Sequence, residues 1–376
     1  MGQKRSKPSA RPEWAPDLRS WLATLESHNE LRRIGAEVDW NQEIGAITRI
    51  NLAQQGPGLL FENIRGYRDT PCTKFLTGSL GNRRHVCLLL GLPLDTADRA
   101  IVAHLKRRYR EGVPYVEVDT GPVKTHKQTG DDIDLTKFPV PHWHHLDGGR
   151  YIDTFCGVIT RDSSTRRLNV GIYRGQLLGP NKVGKLLIAT QHWGGHFAQH
   201  REAMQPMPAA VVLGWHDVLP LCAGSPFPKG VCEYEMMGAL LGRPVELVKC
   251  ETSDLLVPAS AEIVVEGFIS PDPATFEMEG PFGEYPGYAG GTPSPKPVLK
   301  VSAITHRDDP ILRGTLEGAR PGFPSEDSPL CAYSWSAIAW NMLEDFGVGG
   351  ITDVWMPPVV TGTHIVVQIR RQYRGH

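Results

Sequence analysis

The stretch 276–290, FEMEGPFGEYPGYAG, constrains this chain more than any other, because it sets two carboxylates, Glu279 and Glu284, at opposite ends of a Gly-Pro-Phe-Gly turn. Pro281, between Gly280 and Gly283, neither continues a helix nor donates to a central strand, so the chain must fold back here. Folding back can bring both acids to one small site. Two carboxylates in a confined cleft do not both ionise cheaply, so one pKa is expected to rise toward working pH while a nearby cation holds the other charged. A proton donor is made in this way. Read from this stretch alone, the plain alternative is a surface hairpin with two solvated glutamates.

A chain of 376 residues is long enough for two or three domains, each with its own core. With 40 basic against 41 acidic side chains the formal charge is −1, which argues against both a nucleic-acid groove and an anionic membrane surface as partners. The seven cysteines (Cys72, Cys87, Cys156, Cys222, Cys232, Cys250 and Cys331) are scattered and include no CxxC pair. They fit reduced thiols better than a disulfide or zinc framework. The N-terminus is basic but has no apolar h-region, and greasy runs such as 87–90 are far too short to cross a bilayer. A cytoplasmic address is therefore expected. The 31 prolines and 40 glycines point to a turn-rich, largely β chain.

Residues 1–16 read as a disordered basic tail. Asp17 then caps a helix whose Leu18, Trp21, Leu22 and Leu25 recur at helical spacing, followed by a strand from Leu31. Segments 44–53, 59–61 and 87–90 extend this alternation, giving an N-terminal α/β domain over 17–118. From there to residue 320 strands dominate: 154–160, 168–178, 209–215, 244–250, 263–269 and 298–306, with helices expected at 182–190 and 235–241. Such a surplus of strands predicts a closed or split β-barrel rather than a doubly wound sheet. Residues 321–376 begin a third α/β unit, with a helix over 331–343 and strands over 351–355 and 363–369.

Three motifs invite over-reading. Gly179 to Lys185 matches the first part of a phosphate-binding loop, but Leu186 stands where a hydroxyl must hold magnesium. Gly347-Val-Gly349-Gly350 resembles a dinucleotide turn, yet Thr352 replaces the third glycine and a strand follows. It reads as a loop. His142, His144 and His145 lack a further ligand pair nearby, so packing and loop hydrogen bonds are expected of them rather than a metal.

The second informative stretch is Asn169-Val-Gly-Ile-Tyr-Arg174. In a regular strand Asn169 and Arg174 point to opposite faces, so serving one site requires a bulge, which Gly171 permits, or else the two flank a wedge-shaped ligand. Downstream lie Gln191-His192 and Cys232-Glu233. The amide oxygen of Asn169, the imidazole of His192 and the carboxylate of Glu233 form a mostly hard ligand set that suits Mn²⁺ or Mg²⁺ better than zinc.

Taken in order, NVGIYR, QHWGG, EYEMMGALLGRPVELVKCE and EGPFGEYPGY, with the linker LTKFPVPHWHHLDGGRYI, closely resemble the UbiD family of reversible, non-oxidative decarboxylases that use prenylated FMN. The resemblance runs from about Asp17 to the end of the chain. It implies an α+β fold: a central split β-barrel, flavin reductase-like, over 119–320, flanked by the N-terminal α/β domain and an incomplete C-terminal one. It also implies a metal on Asn169, His192 and Glu233 that bridges to the flavin phosphate, with Ile172, Tyr173, Arg174, Gln191, His192 and Ser225 around the cofactor and room for K⁺ near Ser225. Arg174, Glu279 and Glu284 match the family's Arg-Glu-Glu network, with Glu284 as the acid.

The chemistry requires such a helper. Losing CO₂ from an sp² carbon leaves an electron pair that no protein side chain can absorb, so a cofactor must serve as the sink. The partners implied are a small aromatic, heteroaromatic or α,β-unsaturated acid, CO₂, a flavin prenyltransferase that supplies the cofactor, and further copies of the chain. Members of the family continue through a segment that completes the third domain, adds a dimer helix and gives a basic cofactor contact. None of that follows Gly375-His376. A truncated, non-catalytic flavin-binding or assembly module and an ordinary FMN reductase are the rival expectations; the latter has no need of an Arg-Glu-Glu network.

Overall fold

The computed structural model of the chain describes residues 16–318 and 324–374. The tail expected over 1–16 lies, Pro16 apart, outside them. Helix α1 (Leu18–Ser27) begins at the foreseen cap: the Asp17 carboxylate accepts the Ser20 N–H at 2.9 Å, and Leu18, Trp21, Leu22 and Leu25 are buried. Strand β1 (Leu31–Ile34), helix α2 (Glu43–Ala53), strands β2 (Gly58–Phe61) and β3 (Lys74–Thr77), helices α3 (Arg83–Leu89) and α4 (Asp98–Arg108) and the short β4 (Val116–Glu117) follow.

The middle of the chain supplies β5 (His126–Thr129), β6 (Tyr151–Asp153), β7 (Gly157–Arg161), β8 (Leu168–Gly171), β9 (Gly175–Gly179) and β10 (Lys182–Lys185). Next come helix α5 (His192–Glu202), β11 (Met207–Val212), helices α6 (Val218–Ala223) and α7 (Glu233–Leu241), β12 (Glu246–Lys249), β13 (Leu256–Pro258) and β14 (Ile263–Ile269). Short strands β15 (Glu277–Glu279), β16 (Phe282–Glu284), β17 (Tyr288–Gly290) and β18 (Ser294–Lys296) precede the long β19 (Val298–His306) and β20 (Ile311–Arg313). The last elements are α8 (Asp327–Pro329), a π-helical stretch (Leu330–Trp335), α9 (Ser336–Asp345) and the antiparallel pair β21 (Ile351–Trp355) and β22 (Val366–Ile369).

A nine-stranded sheet, ordered β6-β9-β10-β19-β14-β11-β7-β8 with β5 added beside β19, forms the centre. Its shape follows from one short connection. Six strand spacings separate β9 from β8 in that order, about 29 Å in a flat sheet. Only Ile172, Tyr173 and Arg174 join them in sequence, and such a link spans at most about 15 Å. The sheet must therefore curl into a half-barrel, with these three residues across its seam. Both faces are covered: Ala209, Val211 and Leu213 enter one apolar core while Ala210 and Val212 enter the other, as the two-residue period of a strand requires. This double burial is why 209–213 is an uninterrupted apolar run.

The smaller four-stranded sheet, β1-β2-β3-β20, takes its last strand from beyond the large one. Helix α9 and the π-helical stretch before it also return to the N-terminal part, where Arg110 Nε donates to Asn341 Oδ1 at 2.8 Å and Tyr333 donates to Asp98 at 2.7 Å. Two expectations are corrected. Lys182–Lys185 is a strand rather than the start of a helix over 182–190, because β9 and β19 pair with it on either side. The single strand expected over 168–178 is broken at the seam. The Gly179–Lys182 step is the turn of a hairpin, and the Lys185 ammonium, fully buried, is ion-paired to Asp153; neither is free for a nucleotide phosphate. Gly347 and Gly350 lie in the loop between α9 and β21, as read. No helix among the described residues is long and apolar enough to cross a membrane.

Candidate active site

The seam gathers the functional groups. β8 ends at Gly171, and the Ile172 N–H is taken by the Ala223 carbonyl at 3.2 Å, so the chain leaves the ladder instead of bulging within it. Gly171 is needed for another reason than the bulge expected: a Cβ there would stand 2.4 Å from the Tyr173 ring, which folds back over it. That ring stacks on Trp193, centroids 4.2 Å apart and planes within 3°. Arg174, three residues beyond the end of β8, is thereby turned toward the strands that carry the two glutamates.

Arg174 clamps Glu279 with Nε at 2.9 Å and Nη2 at 2.8 Å, and its Nη1 reaches Glu284. Glu279 is 1% exposed and also accepts the Tyr151 hydroxyl at 2.9 Å. Glu284 lies nearer the cavity, its side chain 21% exposed. Burial pushes its pKa up; Arg174 works against this, and the Glu279 charge adds to it. One acid is therefore raised as the sequence implied, but desolvation is the larger cause and like-charge repulsion the smaller.

The linker loop, which the sequence left without a role, moulds the carboxylate turn. Asp147 accepts the Gly283 N–H at 3.0 Å, the Gly148 N–H donates to the Pro281 carbonyl at 2.7 Å, and the Gln176 side chain accepts the Gly280 N–H at 2.9 Å. A Cβ on Gly148 would meet the Gly280 carbonyl oxygen at 2.0 Å. His144 sits beneath: Arg49 donates to its Nδ1 at 2.8 Å, so Nε2 carries the proton and donates to the Glu317 carbonyl. His142 bonds to Asn41 at 2.9 Å. These histidines serve the loop.

On the other side of the seam, Asn169 Oδ1 and His192 Nδ1 are 3.0 Å apart. His192 opens helix α5, which the sequence reading missed, and Gln191 precedes it as the N-cap residue. Burial, aided by Lys229, lowers the His192 pKa and keeps the imidazole neutral, the form a metal requires. Glu233 stands behind, 3% exposed, accepting the Val170 N–H at 2.9 Å. It has no basic partner among the described residues, and burial raises its pKa to about 7. No three His, Cys, Asp or Glu groups that could hold a metal converge among the described residues; the expected set of Asn169, His192 and Glu233 has only two groups of that kind.

Ile172, Tyr173, Arg174, Gln191, His192, Ser225 and Glu284 line one cavity of about 440 Å³, within the range of small-molecule sites. Asn169, Gln191 and His192 line an adjoining one of about 480 Å³, together with Lys229 and Arg167. The Ser225 hydroxyl is engaged by the Leu221 carbonyl at 2.6 Å and by Ser334. Two more acids, which no motif announced, complete the first cavity: Glu317 and Asp327, each 8% exposed. Gly318, at φ +64°, crosses against Gly283 so closely that a Cβ on it would meet the Gly283 Cα at 2.2 Å. The crossing brings Glu317 beside Glu284.

Residues 115–320, more than half of the chain, match the UbiD 3-octaprenyl-4-hydroxybenzoate carboxy-lyase Rift-related domain, and residues 22–105 match the corresponding N-terminal domain. The chain belongs to the UbiD family. A UbiD-family relative, the pyrrole-2-carboxylic acid decarboxylase of Pseudomonas aeruginosa, is 39% identical over 317 residues, covering 82% of this chain and 63% of that protein. The chain thus spans less than two thirds of that relative's length. Among solved UbiD-class structures, the evolved dimeric form of HmfF from Pelotomaculum thermopropionicum in complex with prFMN has a TM-score of 0.85 at 34% identity, over 96% of this chain and 80% of that one. The vanillic acid decarboxylase of Sedimentibacter hydroxybenzoicus in its closed form has a TM-score of 0.89 at 29% identity, over 96% and 76%.

Proposed function

We propose that this UbiD-family chain carries the active site of a reversible decarboxylase for an aromatic, heteroaromatic or α,β-unsaturated acid, working with prenylated FMN. The observation that carries the proposal is Arg174 shared between a fully buried Glu279 and a cavity-facing Glu284. The likeness to prFMN-bound and decarboxylase structures supports it, and the curled sheet supports reading the centre as a flavin reductase-like split barrel.

The residues fit the cofactor. The donor set of Asn169 Oδ1, the His192 imidazole and the Glu233 carboxylate suits a hard or borderline divalent cation such as Mn²⁺ or Mg²⁺. Glu233, buried without a cation, is the group such an ion would balance. Lys229, Arg167 and the N-terminus of α5 offer positive charge to a phosphate, and Ile172, Tyr173 and Gln191 would flank the ring system. When bound, prenylated FMN supplies the sink for the electron pair left on carbon.

The chain's own groups do the rest. Glu279, held by Tyr151 and clamped through both oxygens, fixes the Arg174 guanidinium and leaves Nη1 turned to the cavity. While Glu284 carries its proton it competes weakly for Nη1, which is then free to grip the substrate carboxylate. After CO₂ departs, Glu284 delivers that proton to the carbon; in the reverse direction it removes it. Phe282, with the Arg174 guanidinium 5.5 Å from its ring centroid, shields the pair from water.

Co-expression with a flavin prenyltransferase, followed by mass identification of the bound cofactor and a CO₂-release screen over aryl and acrylic acids, tests this reading. A prenylated flavin and release from at least one acid are expected. Unmodified FMN with reductase activity, or a bound flavin with no release from any acid, would overturn it.

A further inference from the structure

Among the described residues, the acidic side of the cavity holds more carboxyl groups than the nearby cations can balance. Arg174 serves Glu279 and Glu284. Arg313, 1% exposed, serves Asp217 and Glu326, with Nη2 2.5 Å from Glu326. Glu317 and Asp327 line the same cavity and have no ion-pair partner among the described residues. Asp327 keeps a long contact with the Ser325 hydroxyl at 3.5 Å. The Glu317 side chain has no hydrogen bond at all among the described residues, although it is 8% exposed; its backbone is fixed by His144 and by the Gly283–Gly318 crossing.

With no hydrogen-bond partner among the described residues, the Glu317 carboxyl on the cavity wall is open to a ligand there. We propose that Glu317, backed by Asp327, selects the substrate by accepting a hydrogen bond from an N–H or O–H on the ring of the acid whose carboxylate Arg174 holds. The inference rests on the reading of this cavity as the acid-binding site and narrows the substrate class to donor-bearing aromatic or heteroaromatic acids. A ring donor is the proposed match, because a carboxyl accepts in either protonation state and donates only while it carries its proton. Burial, with the charges of Asp327 and Glu284 adding to it, raises the Glu317 pKa well above the usual carboxylate range, which lowers the cost of keeping its acceptor oxygen in this cavity.

The test is calorimetric binding of two matched pairs to the holoprotein from co-expression: pyrrole-2-carboxylate against furan-2-carboxylate, and 4-hydroxybenzoate against benzoate. In at least one pair the donor-bearing acid should bind at least about tenfold more tightly, since a site built for a donor rejects the analogue that lacks one. Glu317→Leu should bring that ratio to within about threefold, and Glu317→Gln, which keeps an acceptor oxygen, should retain it. A wild-type ratio near one in both pairs, no binding of any of the four acids, or an undiminished ratio in Glu317→Leu would overturn the proposal. The wild-type ratio decides even if the leucine variant does not fold. Binding is read independently of CO₂ release, so a protein that discriminates but does not decarboxylate defeats the proposed function and leaves the role of Glu317 standing.

Discussion

Arg174 and Glu279 are 105 residues apart in sequence, yet they meet through two parallel hydrogen bonds of 2.9 and 2.8 Å in a place where Glu279 is 1% exposed. Removing the guanidinium leaves a carboxylate buried without its partner, the case in which a buried ion pair matters most. Arg174→Ala is expected to lose about 3 kcal/mol of stability, read as a lowered midpoint in urea. Arg174→Ala with Glu279→Leu should recover much of that loss, because both charges are then gone. Recovery of stability without recovery of CO₂ release would separate the structural from the chemical part of the pair.

Glu284 is the predicted donor. Glu284→Gln keeps the shape and the neutral charge of the protonated acid but has no transferable proton, so the cofactor should stay bound while CO₂ release falls by at least about 100-fold. Burial raises the folded-state pKa of Glu284 above the usual carboxylate value. The acid form is therefore present below that raised pKa and lost as pH rises through it, so the protonation step should slow on the alkaline side. Initial rates across pH, with bound cofactor checked by its absorbance, decide the matter. Near-normal turnover in Glu284→Gln would remove the residue from the role.

What could be read from the sequence was local, or was carried by the family likeness. The Asp17 cap and the Leu18, Trp21, Leu22, Leu25 stripe announce α1 because both signals lie within one helix. By contrast, 182–185 is a strand only because β9 and β19 flank it, and nothing within Lys-Val-Gly-Lys states that. Helix α5 was missed because its segment, HWGGHFAQHRE, carries two glycines and no clear apolar stripe. The meeting of Arg174 with Glu279 and Glu284 came from the resemblance rather than from spacing. Glu317 and Asp327 gave no signal, since a lone acid reads as solvated until its burial is seen; the one hint was Gly318 beside Glu317, a positive-φ glycine at a close backbone crossing.

Asn169, His192 and Glu233 can be tested without turnover. Manganese measured by elemental mass spectrometry in the holoprotein should fall several-fold in Glu233→Gln, because a neutral amide replaces the one anionic donor of the set. Dialysis against EDTA should do the same to the wild type and weaken retention of the flavin. Equal manganese in Glu233→Gln and wild type would move the ion elsewhere.

Asp327 links the cavity to the pH dependence of stability. Burial, joined by the Glu326 charge, raises its pKa to about 7 in the folded chain, against an ordinary value of 3.8. Between those values the folded state holds a proton that the unfolded state has released. Stability from this group is thus fully present below about pH 4 and is lost as pH rises toward 7. Asp327→Asn cannot titrate and keeps a neutral side chain of the same shape. The melting temperature of Asp327→Asn minus that of the wild type should therefore increase from about pH 4 to about pH 7 and level off above, measured on the metal-free, cofactor-free protein so that ligand release does not contribute. A difference that stays flat across that range would mean that Asp327 is ionised in the folded chain and that a cation reaches it.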